Sequence, residues 1–140
     1  MEKTQKGLEP LGRRASSQES DLVRWLLEHG DPAVAPLADQ VDDLMVVSKC
    51  SCGCPTVYFA LKGNPTSRKG ERVVSDWLAR TNDELFGVML FELDGQISSL
   101  EVYSCSGNVK EFGLPESGSL LGYDERSVDR LAPPPSEPSL

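Results

Sequence analysis

A chain of 140 residues is enough for one domain with its own core, and its charge limits what that domain binds. With 22 acidic against 14 basic residues and a formal charge of −8, a nucleic-acid partner is not expected, because phosphate backbones are met by basic faces; a basic protein partner fits better. No apolar run approaches the ~20 residues that cross a bilayer, and the opening MEKTQKGLEPLGRRASSQES has no apolar segment of a secretory signal, so the expected compartment is the cytoplasm, with no membrane partner.

Residues 1–15 are polar, carry glycine and proline and have no periodicity, which predicts a flexible tail. The first helix is expected in SSQESDLVRWLLEHGDP. Ser16 and Glu19 have capping-box spacing, Leu22, Trp25, Leu26 and His29 share a face, and Gly30 with Asp31-Pro32 is a stop signal. A second helix is expected in DPAVAPLADQVDDL, with Asp31 and Pro32 at its start and Leu37, Val41 and Leu44 on one face. MVVSK and TVYFALK then read as strands, with Val57, Phe59 and Leu61 pointing one way. GNPTSRKGE reads as a loop, and RVVSDWL fits a short strand or a helical turn equally well.

The clearest signal lies in ELFGVMLFELDGQISSLEVYSC, two apolar-rich runs around Asp94-Gly95, the dipeptide of a two-residue hairpin turn. Regular pairing from that turn sets Leu93 against Gln96, Glu92 against Ile97, Phe91 against Ser98 and Leu90 against Ser99. The proline-rich end, residues 124–140, is a second expected tail, leaving one domain over 16–123. The predicted fold class is α+β: one or two N-terminal helices packed on an antiparallel meander of about four strands.

Cys50, Cys52 and Cys54 occupy alternate positions in SKCSCGCPTV. In a straight strand the outer two would stand about 13 Å apart, too far for one tetrahedral zinc with sulfurs about 2.3 Å from the metal. Zinc therefore requires the chain to fold back at Ser51 and Gly53, with Cys105 as a candidate fourth sulfur. The alternatives are a strand corner in which small cysteines pack as weak hydrophobes, and a redox role, for which Lys49 is the one adjacent cation.

Lys62, Arg68, Lys69 and Arg72 concentrate positive charge in an acidic chain and are candidate binding residues, without the spacing of a Walker loop. Trp77 is a candidate anchor for a partner. His29 closes a helix face beside Gly30 and is read as structural. Glu92 and Glu101 lie too far apart along the hairpin for a two-carboxylate glycosidase pair. Asp39, Asp42 and Asp43 lack calcium-loop spacing and read as a solvated face.

The segment Cys50, Cys52, Gly53, Cys54, Pro55, Thr56, followed by Asp94, Gly95, Ile97, Ser98, Leu100, Glu101 and Val102, resembles a family of small bacterial proteins. They share a C-x-C-G-C-P-[ST] segment and a late D-G-x-[IL]-S-x-L-E-V hairpin. The resemblance covers about half of the predicted domain and implies a small α+β fold of bacterial origin, with no activity attached. Size and charge also resemble those of toxin-neutralising immunity proteins, an analogy at the level of fold class. Two functions follow as expectations. One is a non-catalytic protein-binding module, immunity-like or accessory, that is not an enzyme and needs no cofactor. The alternative is a small zinc-stabilised domain using Cys50, Cys52 and Cys54.

Overall fold

Ser16 starts the first helix as its neighbours require. Its hydroxyl accepts from the Glu19 N–H at 3.1 Å, and the Glu19 carboxylate accepts from the Ser16 N–H at 2.8 Å, the reciprocal capping box. Helix α1 then runs over Ser17–Glu28 and buries Leu22, Val23, Leu26 and Leu27. The computed structural model describes residues 8–63 and 67–122; the expected tail over 124–140 lies outside them.

The second helical segment is a 3-10 helix over Pro32–Asp43, where an ordinary helix is expected. Asp31 caps it through Ala33 N–H at 3.0 Å, but Pro36 sits inside. Proline has no N–H to donate and its ring crowds the preceding turn, which favours the tighter winding. Val34 and Val41 of this segment and Leu44 just after it enter the core, and Leu37 packs against it. Gln40 bridges to the late hairpin, donating to Gly95 C=O at 2.8 Å and accepting from Ile97 N–H at 2.9 Å.

The sheet is larger than the predicted four-strand meander. The described residues form one antiparallel sheet of seven strands in the order β1-β2-β3-β6-β5-β4-β7. The strands are β1 (Leu8–Arg14), β2 (Met45–Cys50), β3 (Val57–Phe59), β4 (Arg72–Thr81), β5 (Glu84–Leu93), β6 (Gln96–Ser104) and β7 (Leu120–Leu121). RVVSDWL is thus strand. β1 falls inside the stretch expected to be a flexible tail. It is an edge strand, where proline is tolerated, and its register against β2 shifts between Pro10 and Arg13. Arg13 fixes it to α1 by two bonds to the Glu19 carboxylate, at 2.9 and 2.8 Å.

Asp94 and Gly95 make the hairpin turn with φ of 51° and 82°, the positive pair that a two-residue turn demands. The first two expected pairs form, Leu93 with Gln96 and Glu92 with Ile97. A bulge then moves Phe91 onto Ser99 and Leu90 onto Leu100, one residue away from regular pairing. The shift aligns Leu90 with Leu100 and Val88 with Val102 in the core cluster that α1 also enters, all four fully buried. It also places Ser98 and Ser99 together opposite a single partner.

The connection from β3 to β4 has to pass β6 and β5, and the bulge is where it is tied down. Arg68 donates to Ser98 C=O at 2.8 Å and Phe59 C=O at 2.7 Å, with its guanidinium over the Tyr58 ring at 5.6 Å. Glu71 accepts from both serine hydroxyls, that of Ser99 at 3.0 Å. The sheet face opposite α1 is otherwise open: Val73 and Tyr103 are 43% and 39% exposed, and Leu85, Met89 and Phe91 are half-buried.

Candidate functional site

The cysteine stretch is the corner between β2 and β3, and it also brings sulfur to one point. Cys50 N–H donates to Thr56 C=O at 3.2 Å, closing the corner. Gly53 takes φ of 103°, so the chain reverses instead of continuing as a strand. The Sγ atoms of Cys50, Cys52 and Cys54 consequently all lie within 4.8 Å of one another. Two sulfurs each about 2.3 Å from one ion are at most about 4.6 Å apart. The group could therefore hold a metal ion once the Cys50 and Cys52 sulfurs, 2.8 Å apart, spread to the separation of two ligands on one ion.

The corner is held from both flanks. Thr56, buried behind it, accepts from Val102 N–H at 2.9 Å and donates to Val102 C=O at 3.1 Å. From the segment after β6, Phe112 N–H donates to Gly53 C=O at 3.4 Å, while the Phe112 ring packs on Phe86 of the core at 4.6 Å between centroids. Glu111 lies so close over Gly53 that a Cβ there would come within 2.6 Å of its Cγ.

The three thiols are not equivalent. Cys52 is exposed, whereas Cys50 and Cys54 are partly covered. The Cys50 S–H donates to the Cys52 sulfur at 2.8 Å, and Cys54 N–H donates to the same sulfur at 3.4 Å. Hydrogen bonds from Cys50 first, then from Cys54, lower the Cys52 thiol below its usual range. Burial, reinforced by the bond to Cys52, pushes Cys50 up to about 12. Donors aimed at a sulfur stabilise its thiolate, the form that binds metal and attacks electrophiles. The corner thus favours the ionised form at Cys52 and disfavours it at Cys50.

Cys105 does not join the three at that distance. It is exposed just beyond β6, with its N–H on Leu85 C=O at 2.8 Å. The candidate binding residues are dispersed. Arg68 is spent on the crossover described above. Arg72 pairs with Glu92, whose carboxylate also accepts from Gly95 N–H at 2.7 Å. Lys62 and Lys69 are exposed; Lys62 lies beside a cleft of about 660 Å³ that also carries Asp39, Asp43 and Asp94. Trp77 is half-buried under α1, edge-on to Trp25 at 4.8 Å, with its N–H on Ser75 Oγ at 3.1 Å. His29 stacks on Trp25 at 3.8 Å, and its Nδ1 meets Trp25 C=O at 2.8 Å.

One group has no counterpart in the sequence reading. Tyr58, Glu71, Ser98, Ser99 and Glu101 meet on the open face of the sheet. Burial, then the charge of Glu71, raises the Glu101 carboxyl. Burial, then Glu101, raises the Tyr58 hydroxyl, with smaller contributions from Cys50 and Cys54. Only the bulge at Ser98 assembles the group, and a bulge leaves no local mark in sequence.

No helix among the described residues is long and apolar enough to cross a membrane. Comparison of the chain with protein-family models, with curated proteins and with solved structures finds no match.

Proposed function

We propose that this chain is a non-catalytic metal-binding protein whose β2–β3 corner takes a thiophilic ion, zinc(II) among them, on Cys50, Cys52 and Cys54. The observation that carries the reading is the convergence of three sulfurs within 4.8 Å in a chain whose cysteines are all free. Thiolates are the donors that such ions select. The non-catalytic part rests on how the acid and base groups are used: Glu19 in a cap, Glu92 in a turn, Glu71 at the crossover and His29 in an aromatic stack. The test is elemental analysis of untagged protein, with thiols counted before and after unfolding. Stoichiometric metal with three thiols blocked in the folded state is the expected result. No metal, and no uptake by the reduced protein, would overturn the reading.

A second reading, a module that holds another protein, is supported by a different observation. The open face of β4–β6 exposes Val73 and Tyr103, with Phe91 and Met89 half-buried beside them, and contiguous apolar side chains on a surface are the mark of an interaction site. The acidic chain would favour a basic partner. Val73→Arg with Phe91→Arg should abolish a complex captured at low salt from the native host while leaving the melting curve cooperative. Capture that is indifferent to both substitutions refutes this reading.

A further inference from the structure

Among the described residues, no fourth donor lies within 4.8 Å of all three sulfurs of the cysteine corner, and from that count we infer that its resident ion is copper(I), held by three thiolates. The inference rests on the metal-binding reading above and narrows it to one ion. All three ligands come from a single five-residue turn. Glu111, over Gly53, is not a member of that group of mutually close donors. Cys105 stands outside the group, and His29 is occupied with Trp25 on α1.

Coordination number then decides between the two ions that thiolates favour. Structural zinc takes four protein ligands in a tetrahedron. On this corner its fourth position would fall to water, on a turn whose central cysteine is exposed. Copper(I) is a soft, singly charged ion with a filled d shell, and three thiolates complete its coordination without a fourth ligand. The donor set is also uniformly soft, with no oxygen or nitrogen ligand to favour a borderline ion. Three thiolates around one positive charge leave the cluster net negative. The backbone N–H groups of Cys52 and Cys54, directed at the Cys50 and Cys52 sulfurs at 3.5 and 3.4 Å, are placed to offset that charge.

The experiment is a pair of titrations on the full-length, reduced, metal-free protein under argon. Copper(I) is added against bicinchoninate, and zinc(II) against a chromophoric zinc chelator, followed by X-ray absorption on whichever complex forms. The expected result is one copper(I) per chain with three sulfur neighbours, retained against the competitor, while zinc(II) is surrendered. Cys52→Ser should weaken copper(I) binding by more than about 100-fold, beyond the usual cost of disturbing a ligand's outer partners; Cys105→Ser should leave it unchanged. Zinc(II) retained while copper(I) is stripped overturns this inference and leaves the metal-binding reading standing. Two sulfur neighbours, or a loss on Cys105→Ser, overturns the three-thiolate site. Retention of neither ion overturns both.

Discussion

Gly53→Ala is the substitution that asks most directly whether the corner is built as described. Gly53 has φ of 103°, where an L-residue is strained by about 1–3 kcal/mol. Its new Cβ would also stand 2.6 Å from Glu111 Cγ and 3.0 Å from Lys110 C=O. The glutamate side chain is exposed and can swing away, but the carbonyl belongs to the segment that bonds Gly53 through Phe112 N–H. Lifting that segment forfeits a hydrogen bond, about 1 kcal/mol, so the total loss is about 2–4 kcal/mol. Gly95→Ala is the control. Its φ of 82° imposes a similar backbone cost of about 1–2 kcal/mol, yet nothing lies within 4 Å of its added Cβ. Urea unfolding followed by tryptophan fluorescence measures both, since Trp25 and Trp77 sit at the junction of helix and sheet. Gly53→Ala should be the costlier by about 1–2 kcal/mol and should also lose metal stoichiometry while still folded. Equal losses, within about 0.5 kcal/mol, would mean that the segment over Gly53 does not brace the corner.

Two further substitutions test the surroundings of the site. Thr56→Val keeps shape but strands the Val102 N–H and C=O in the buried sheet. It should cost about 2–4 kcal/mol in urea unfolding, and Thr56→Ser should recover most of it; a loss below about 1 kcal/mol would show that water reaches the pair. Glu101 has its carboxyl raised by burial and by Glu71, so its charged form is disfavoured in the folded state. A raised folded pKa gives a penalty that is absent below the unfolded value and complete above the folded one. Glu101→Gln should therefore melt higher than the parent at pH 7, with the gap closing as pH falls through the carboxylate range. A gap that widens on acidification refutes this assignment.

What was legible in the sequence is what neighbouring residues decide among themselves. The capping box of Ser16 and Glu19 and the Asp94-Gly95 turn are each complete within four residues, and both form as read. Pairing just beyond that turn was not legible. Regular alternation and a bulge differ by one residue, and the choice is made by the core, which needs Leu90 against Leu100 and Val88 against Val102. β1 was hidden for the converse reason. Pro10 and Gly12 argue against a strand locally, but an edge strand bonded on one side absorbs them, and Arg13 supplies the tertiary anchor through Glu19. The cysteines lie between these cases. Spacing alone established that three alternate thiols can share an ion only if the chain turns back. That Gly53 makes this turn, while Cys105 stays apart, depends on the segment carrying Glu111 and Phe112.

The position of the corner predicts that metal binding and folding are separable, where a zinc-stabilised domain would couple them. None of the cysteines belongs to the core cluster, which α1, the 3-10 helix and the central strands complete through Leu22, Leu26, Val41, Phe59, Leu90 and Leu100. Thr56 and Cys50 close the corner by bonds that involve no sulfur. An ion seated there stabilises the fold only by mass action, about 2.7 kcal/mol at a hundredfold excess over its dissociation constant. On this prediction it is not needed to create the site, unlike in small domains that unfold without zinc. Stripping the ion should lower the melting temperature by an amount that scales with the logarithm of free metal, while the near-ultraviolet circular dichroism of Trp25 and Trp77 stays unchanged. Collapse of that signal on chelation at room temperature would mean that the sheet depends on the metal after all. The corner would then be a structural centre and not a docking point for an exchangeable ion.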